Sequence, residues 1–503
     1  MFELNSNYFI FDNKEKFLEK SLENIKIVKN TKGIEYYNVP AAFDIETSSF
    51  YEGNEKRAIC YIWQFGINGN VIIGRTLEEF FIFIYWLSRK LNLNEKRRFL
   101  VYVHNLGFEF QFIRKWFLWS IVFSDNERTP MKAVTNFNVE FRCSYRLSGY
   151  SLNSVANNLI KYKVRKLVGN LDYEKIRHSK TELSFEEMQY CINDVLIVMA
   201  YIKEEMENYE NNICNIPLTN TGRVRRYCKI ACKGNKNEGE KFKKYSALMK
   251  RLTLTPEIYY LLKQAFQGGF THANAKYSGV ELENISSYDF TSSYPYVMIS
   301  EKFPMSQGYF VPIPQNKKDY LKFLEKVLSY YTKEFCCLMV VKMSNVMSRF
   351  IGDNFISQSK CKNLINPTID NGRIVKADDL IITVTEIDLE IYMKSYKFDL
   401  EILSLHIFEK KYLPIDFVNS IIKLYSDKTE LKGIEDKEIE YLRAKGMLNS
   451  CYGMSVTDIV KNENNYDTST HEWNLNKPNV EESIEKYNNS RNRFLNFTES
   501  VSL

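Results

Sequence analysis

The chain runs to 503 residues with a formal net charge of +6; 45% of its residues are hydrophobic and 15% aromatic. That length exceeds one ordinary core and favours two or three domains, and the apolar content excludes an intrinsically disordered chain. The mild basic excess suits a groove of Lys and Arg around a polyanion without demanding one.

Ten cysteines are scattered with no CxxC spacing. Cys228 and Cys232 stand four apart among Arg225, Arg226 and Lys229 with few candidate ligands nearby, so zinc is a remote reading there. Cys336-Cys337 adjoin Leu338 to Val341 and read as core. Free thiols of this kind fit a reducing cytoplasm. Met1 to Lys14 lacks the apolar core of a signal peptide. The longest apolar run, Phe80 to Leu87, is too short to span a bilayer. The expectation is a soluble cytoplasmic protein with no membrane partner.

In chain order, Tyr37 to Phe43 predicts a strand ending at Asp44, followed by strands at Ala58 to Gly66 and, after the turn Asn68-Gly69-Asn70, at Val71 to Ile73. Leu77 to Leu91 has helical periodicity, and Phe99 to Val103 is a short strand leading to His104-Asn105. Glu186 to Glu207 is apolar at helical intervals. Strands alternating with helices predict an α/β architecture for residues 35–212. Beyond the basic stretch Arg223 to Lys233 and the polar run Lys233 to Gly239, Thr255-Pro256 reads as a helix start. Residues 303–412 form a mixed insertion without obvious chemistry, and Asp416 to Tyr452 reads as two helices split at Lys432-Gly433. The tail from Lys461 is Asn-rich and weakly patterned.

Three groups of residues carry chemistry. In Asp44-Ile45-Glu46 the carboxylates alternate along a strand, so both face one way and can bridge two divalent cations. The same triplet at Asp388-Leu389-Glu390 follows Thr385 at capping-box distance and reads as a helix start instead. Downstream, Tyr102 to Phe110 runs from a strand into a Gly-containing turn with Glu109, and Tyr190 and Asp194 share a helix face. The second group is Phe266-Gln267-Gly268-Gly269-Phe270, 20 residues ahead of Asp289, and Tyr288-Asp289-Phe290-Thr291-Ser292-Ser293-Tyr294-Pro295. Adjacent glycines let backbone approach a phosphate, and an apolar strand from Ile285 is expected to deliver Asp289 at its end. The third is Lys445 to Gly453, where Lys445, Asn449 and Tyr452 share one helix face. There a lysine can neutralise triphosphate oxygens.

In this order the three groups resemble the exonuclease and polymerase motifs of family B DNA polymerases, nearest to the protein-primed branch of phages and linear plasmids. The resemblance implies an RNase H-like 3′–5′ exonuclease domain followed by palm and fingers, with α/β and α+β architecture. It makes Asp44, Glu46 and Asp194 ligands of two Mg²⁺ or Mn²⁺ ions, with Tyr190 orienting the attacking water and Glu109 standing where the motif usually has Asp. Asn105 and Phe108 would touch a single-stranded 3′ end, with Ser151 and Leu152 a weaker match to another such contact. A lysine expected at Val168, just before Gly169 to Tyr173, is displaced, and Lys166 is its nearest substitute. In the polymerase half the resemblance gives Asp289 and the Phe290 carbonyl to metal, and Gly268, Gly269 and Ser292 to DNA or nucleotide. It sets Tyr294 under the incoming sugar, Lys445 on the triphosphate, Asn449 and Tyr452 on base and sugar, and Gly453 beside the template. Primer-template DNA and deoxynucleoside triphosphates are then substrates, and a terminal protein is a partner.

The expected segments are 1–215 for the N-terminal region and exonuclease, 216–300 for a linker and first palm part, 301–414 for an insertion and palm, 415–460 for fingers, and 461–503 for a tail. The family's Asp-Thr-Asp triplet has no counterpart among the 50 residues after Gly453, whose only aspartates are Asp458 and Asp467. Tyr466-Asp467-Thr468-Ser469 mimics it superficially and reads as a hairpin. From Asn496 the resemblance lapses, which predicts a chain interrupted before its last palm motif and a C-terminal fragment encoded downstream. Two rivals remain: a free-standing 3′–5′ exonuclease with a degenerate polymerase remnant, and a non-catalytic DNA-binding subunit of a split polymerase.

Overall fold

The computed structural model describes residues 2–4, 8–167, 175–234, 239–271, 277–350, 352, 354–434 and 437–490. Val168, the stretch Gly169 to Tyr173 and the segment from Asn496 lie outside the described residues. The chain forms two compact units, each discontinuous in sequence. The first is Met1–Arg223, Lys428–Gly446 and Lys461–Pro478; the second is Val224–Asp427, Met447–Val460 and Asn479–Leu503.

The first unit is built on a mixed sheet. In chain order its elements are β1 (Tyr8–Ile10), α1 (Lys14–Leu22), β2 (Ile27–Lys29), β3 (Glu35–Tyr37), β4 (Ala41–Glu52), β5 (Glu55–Ile67), β6 (Asn70–Gly74), α2 (Leu77–Lys90), β7 (Arg97–Val103), α3 (Leu106–Ile113), β8 (Trp119–Ser124), β9 (Pro130–Thr135), β10 (Val139–Cys143), α4 (Ser144–Ser148), α5 (Leu152–Asn157) and α6 (Phe185–Asn208). The strand order is β1-β6-β5-β4-β7-β10-β9-β8. At its centre β5 runs antiparallel to β4 and β6, while β7 and β10 run parallel to their neighbours β4 and β7. This is the RNase H-like order the resemblance implies.

Period-two alternation assigns the two faces of β4. Phe43 and Ile45 point into a core with Phe80, Phe83 and Ile84 of α2, and the Phe43 and Phe80 rings stack at 4.2 Å. Ala42 points to the opposite core, filled by Ile192, Val195 and Met199 of α6. Asp44 and Glu46 continue that second face. α6 lies unusually close to the sheet because β5 offers Gly66 there: a Cβ at that position would fall 2.4 Å from Met199 Cε and 2.6 Å from Val195 Cγ1.

One expectation fails in detail. The strand carrying Asp44 does not end there but runs to Glu52, paired throughout with β5 and with an irregularity in register between Glu46 and Thr47. Pairing with β5 satisfies the backbone groups of Ser48 to Glu52 whatever side chains stand outside the ladder.

The second unit contains most of α7 (Asn220–Lys233), then α8 (Glu240–Leu252), α9 (Pro256–Ala265), α10 (Ser293–Ser300), β11 (Phe303–Pro304), β12 (Tyr309–Phe310), α11 (Lys317–Lys326), α12 (Thr332–Glu334), β13 (Phe335–Ser348), β14 (Lys362–Ile365), β15 (Thr368–Asp370), β16 (Arg373–Thr385), α13 (Glu386–Ser395), β17 (Tyr396–Lys411) and α14 (Ile415–Leu431). The insertion is a seven-stranded antiparallel sheet around β17-β13-β16 with its own core. Thr255 caps α9 with Pro256 in its first turn, and Thr385 and Asp388 form the capping box that opens α13, as their sequence spacing predicts. The paired helices are α14 and α15 (Glu438–Ser455), with Gly433 at φ +79° between them.

Two corrections follow. The strand expected from Ile285 to Asp289 is not formed: residues 281–290 are exposed and irregular. A strand needs a neighbour for its backbone groups, and none of the described strands lies beside it. The tail, weakly patterned in sequence, forms regular elements as far as Ser490: β18 (Glu463–Asp467) pairs with β19 (Glu472–Asn476), and α16 (Val480–Ser490) follows. Asp467 accepts hydrogen bonds from Ser469 N and Thr470 N, so it closes the turn of the expected hairpin. Tyr466 and Trp473 pack on Phe110 within the first unit.

Candidate active site

Three elements of the first unit converge on one acidic centre. β4 presents Asp44 and Glu46 on the face covered by α6, and α6 presents Asp194 back to them. Their carboxylate oxygens lie within 4.8 Å of one another, the sole such grouping among the described residues. Glu109, in the first turn of α3, is buried and hydrogen-bonds to Asp44. Its extra methylene therefore still lets the carboxyl reach the cluster.

Four carboxyls packed this tightly cannot all ionise alone. Burial, then the Asp194 charge, pushes Asp44 up to about 7. Burial followed by the neighbouring carboxylates lifts Glu46 and Glu109 well above the usual range. Asp194 is raised by burial, opposed by Lys166, whose Nζ stands 3.3 Å from Oδ2. Asp194 Oδ1 and Glu109 Oε2 are buried without a hydrogen-bond partner. Buried carboxylate oxygens with no donor are what divalent cations satisfy, and an all-oxygen donor set is the kind that Mg²⁺ and Mn²⁺ take. The residues present fit such ions.

Around the centre, Tyr190 lies one helical turn before Asp194, with Lys166 Nζ 5.7 Å from its ring centroid. Lys166 thus stands beside both residues. Asn105 precedes α3 in the left-handed region at φ +70°, and Phe108 is 44% exposed with its ring 5.3 Å from that of Phe112. Ser151 is a helix cap, accepting from Ser154 N at 3.3 Å, and Leu152 packs half-buried against the core.

Two features escaped the sequence reading. Arg177 is buried, its guanidinium held by Glu187 at 2.6 and 2.8 Å and its backbone N–H donating to Ser48 Oγ at 2.9 Å; its charge acts on Glu46. No spacing rule ties Arg177 to a strand 130 residues earlier. Gly66 could have been found, because a glycine inside an apolar strand marks a close approach.

The polymerase-like residues divide, with Lys445 in the first unit and the others in the second. Tyr294 of α10 and Tyr452 of α15 stack with centroids 4.7 Å apart, and a Cβ on Gly269 would meet Tyr294 Oη at 3.1 Å. Three motifs distant in sequence are thereby brought together. Gly268 and Gly453 have open space around their Cα. Lys445 and Asn449 are exposed on α15, opposite its buried Ala444, Leu448 and Cys451. Ser292 caps α10 at φ +54°. Asp289 and Phe290 are exposed, and no carboxylate clusters with Asp289 among the described residues.

The family model of organellar and viral type B DNA polymerases matches residues 153–500. The DNA polymerase of Bacillus phage Nf is 22% identical over 439 residues, and that of Bacillus phage PZA 24% over 440; each alignment covers 80% of this chain and 66% of the relative. The chain thus spans just under two thirds of these relatives' length. Among solved structures, phi29 DNA polymerase complexed with single-stranded DNA matches at TM-score 0.61 and 17% identity, covering 92% of this chain and 77% of that one. The same polymerase complexed with primer-template DNA matches at TM-score 0.60 and 17% identity, covering 87% and 72%. No helix among the described residues is long and apolar enough to cross a membrane. With a matching family model over more than half its length, an RNase H-like sheet and converging motifs, the chain belongs to the organellar and viral type B DNA polymerases, in the protein-primed branch that its motifs resemble.

Proposed function

We propose that the first unit is a 3′–5′ exonuclease that trims single-stranded DNA ends, proofreading for DNA synthesis by a protein-primed family B polymerase. The observation that carries this reading is the Asp44, Glu46 and Asp194 cluster, in which Asp194 Oδ1 has no hydrogen-bond partner. Asp44, Glu46 and Asp194 would hold two divalent cations, which when bound supply Lewis-acid charge to both the attacking and the leaving oxygen of the phosphodiester. The chain's own residues do the rest. Tyr190 orients the attacking water through its hydroxyl. Lys166 offsets negative charge between Asp194 and the phosphate, and Glu109 fixes the Asp44 carboxyl. Phe108 stacks on an unpaired base while Asn105 holds the terminal sugar-phosphate. The buried setting strengthens each of these interactions relative to water.

Synthesis is assigned to the second unit with α15, acting on primer-template DNA and deoxynucleoside triphosphates and started from a terminal protein. The stacked Tyr294 and Tyr452 beside Gly269 support it, since this arrangement can seat a deoxyribose and exclude a 2′-hydroxyl. Lys445 would neutralise the triphosphate, and Asp289 with the Phe290 carbonyl would supply two ligands of a metal site that no clustered carboxylate completes among the described residues.

The test of the exonuclease is degradation of a 5′-labelled single strand in Mg²⁺ or Mn²⁺. Asp44→Ala combined with Glu46→Ala should lower the rate by at least about two powers of ten. A wild-type protein that is folded yet no faster than this variant would overturn the reading. Calorimetric titration of a deoxynucleoside triphosphate against wild type and Tyr294→Ala tests the second unit, where equal affinity would count against the tyrosine's place under the sugar.

A further inference from the structure

The second unit holds a cavity of about 480 Å³ that neither motif set uses. One wall is α8, a strongly basic helix with Lys241, Lys243, Lys244, Lys250 and Arg251 against a single acid, Glu240. Its buried stripe is Tyr245, Met249 and Leu252. The adjacent stripe faces the cavity: Lys241, Lys244, Leu248 and Arg251 stand at helical intervals of three, four and three. At 1.5 Å rise per residue the cations are spread over about 15 Å of helix. The facing wall is the β17–α14 junction, where Lys411 and Tyr412 enter the lining. Tyr412 is 58% exposed, and Lys302 Nζ lies 5.7 Å from its ring centroid. The one acid in the lining, Asp416, is engaged by Lys241 at 2.9 Å.

A row of cations beside an exposed aromatic ring has a specific chemistry. Lys and Arg take phosphate oxygens, an exposed tyrosine face takes an unpaired base, and together they form the stacking platform and electrostatic track of single-strand binding. The volume lies within the range of cavities that enclose small ligands, so the groove admits a nucleotide unit and not a duplex. Because the cations extend along the helix axis, they match successive phosphates of a strand better than one compact anion.

We propose that this groove binds a single strand of nucleic acid, with phosphates on Lys244 and Arg251 and a base against Tyr412. It is separate from the acidic centre, whose strand contacts lie in the first unit. The groove rests on the nucleic-acid reading of the chain but not on the exonuclease assignment.

The experiment uses the full chain carrying Asp44→Ala and Glu46→Ala, in EDTA, with a 20-nucleotide oligothymidylate containing 5-iodouracil. Irradiation should cross-link the oligonucleotide to a peptide containing Tyr412. Adding Lys244→Gln and Arg251→Gln should flatten the salt dependence of binding by about 1.4 in the log–log slope, since each single-strand phosphate contact contributes about 0.7. Tyr412→Ala should weaken binding about tenfold. Cross-links that form only outside residues 241–251 and 411–416, with an unchanged slope, would overturn the proposal. So would protection of Tyr412 by thymidine triphosphate together with unchanged oligonucleotide affinity in the double Gln variant, since the groove would then take a free nucleotide. Degradation of a trinucleotide by the otherwise wild-type Lys244→Gln/Arg251→Gln protein reports the acidic centre separately. It should be unchanged, and its failure in wild type would fault the exonuclease reading alone.

Discussion

Glu140 offers the sharpest quantitative test of the first unit. Its side chain is fully buried on β10, with Arg142 at 2.8 Å, Arg98 at 3.1 Å, Lys132 at 3.3 Å and the Tyr36 hydroxyl donating at 2.9 Å. One carboxylate thus joins β3, β7, β9 and β10, and β7 is the strand that leads to Asn105. Burial alone would raise its pKa, but Arg142 and Lys132 outweigh burial and hold it down to about 2. A carboxyl held near 2 in the folded state, against 4.5 ordinarily, contributes about 3 kcal/mol at pH 7, of which about 2 kcal/mol has gone by pH 3. The folded pKa is depressed, so this stability is present above the unfolded pKa and drains as pH falls from about 5 towards 2. Glu140→Gln leaves the buried Arg98 and the largely covered Arg142 and Lys132 without their anion and should cost about 3–5 kcal/mol at pH 7. The gap to wild type should narrow by about 2 kcal/mol at pH 3, because the variant has no carboxyl there to protonate. All five tryptophans, Trp63, Trp86, Trp116, Trp119 and Trp473, lie in the first unit, so urea unfolding followed by tryptophan fluorescence reads that unit selectively. An equal gap at both pH values would refute the electrostatic reasoning, and a loss under 1 kcal/mol at pH 7 would show the cluster to be energetically idle.

Gly66→Ala should displace α6 from the sheet, lowering nuclease activity at least tenfold while the protein still folds; a crystal structure with α6 unmoved, or full activity, would contradict this. Without divalent ions the raised pKa of Asp44 makes a contribution to stability that is complete below its ordinary value of 3.8 and lost as pH rises through about 7. The melting-temperature gain on adding Mg²⁺ or Mn²⁺ should therefore grow between pH 5 and 8, and a gain independent of pH would count against metal at this cluster. Lys166→Met should leave Asp194 without its cation and cut the exonuclease rate about tenfold or more, with Lys166→Arg recovering part of it; equal rates for all three proteins would remove Lys166 from the site. Affinity for single-stranded DNA should fall steeply with salt, and a flat response over a tenfold range would argue against phosphate-led binding.

The acidic centre was legible because its chemistry is local: alternation sets Asp44 and Glu46 on one face, and a four-residue helical interval aligns Tyr190 with Asp194. The faces of α6 and α15, and the starts of α9 and α13, were legible for the same reason. What escaped was set by long-range pairing. The continuation of β4 depends on β5, the absence of a strand at Ile285 to Asp289 depends on a missing neighbour, and the tail hairpin gains its stability from Phe110, over 350 residues away in sequence. Arg177 belongs to the same class, since its partners Ser48 and Glu187 are close only after folding. The tyrosine stack was half legible: Tyr294 and Tyr452 were each singled out, but nothing local links them.

The β18–β19 hairpin bears on the order in which the molecule assembles. Arg114 donates to the His471 carbonyl at 2.5 Å and Trp119 N–H to Thr468 Oγ1 at 2.8 Å, joining positions 357 and 349 residues apart. During synthesis the N-terminal end emerges first, so the ring cluster of Phe110, Tyr466 and Trp473 can close only after nearly the whole second unit has left the ribosome. Until then the apolar side of α3 and the edge strand β8 stay uncovered, a surface prone to wrong pairing. Closing so long a loop adds little entropy beyond a loop half its length, so the delay is kinetic in origin. A nascent chain stalled before residue 463 should expose Phe110 and Trp119 to quenchers that the released protein excludes.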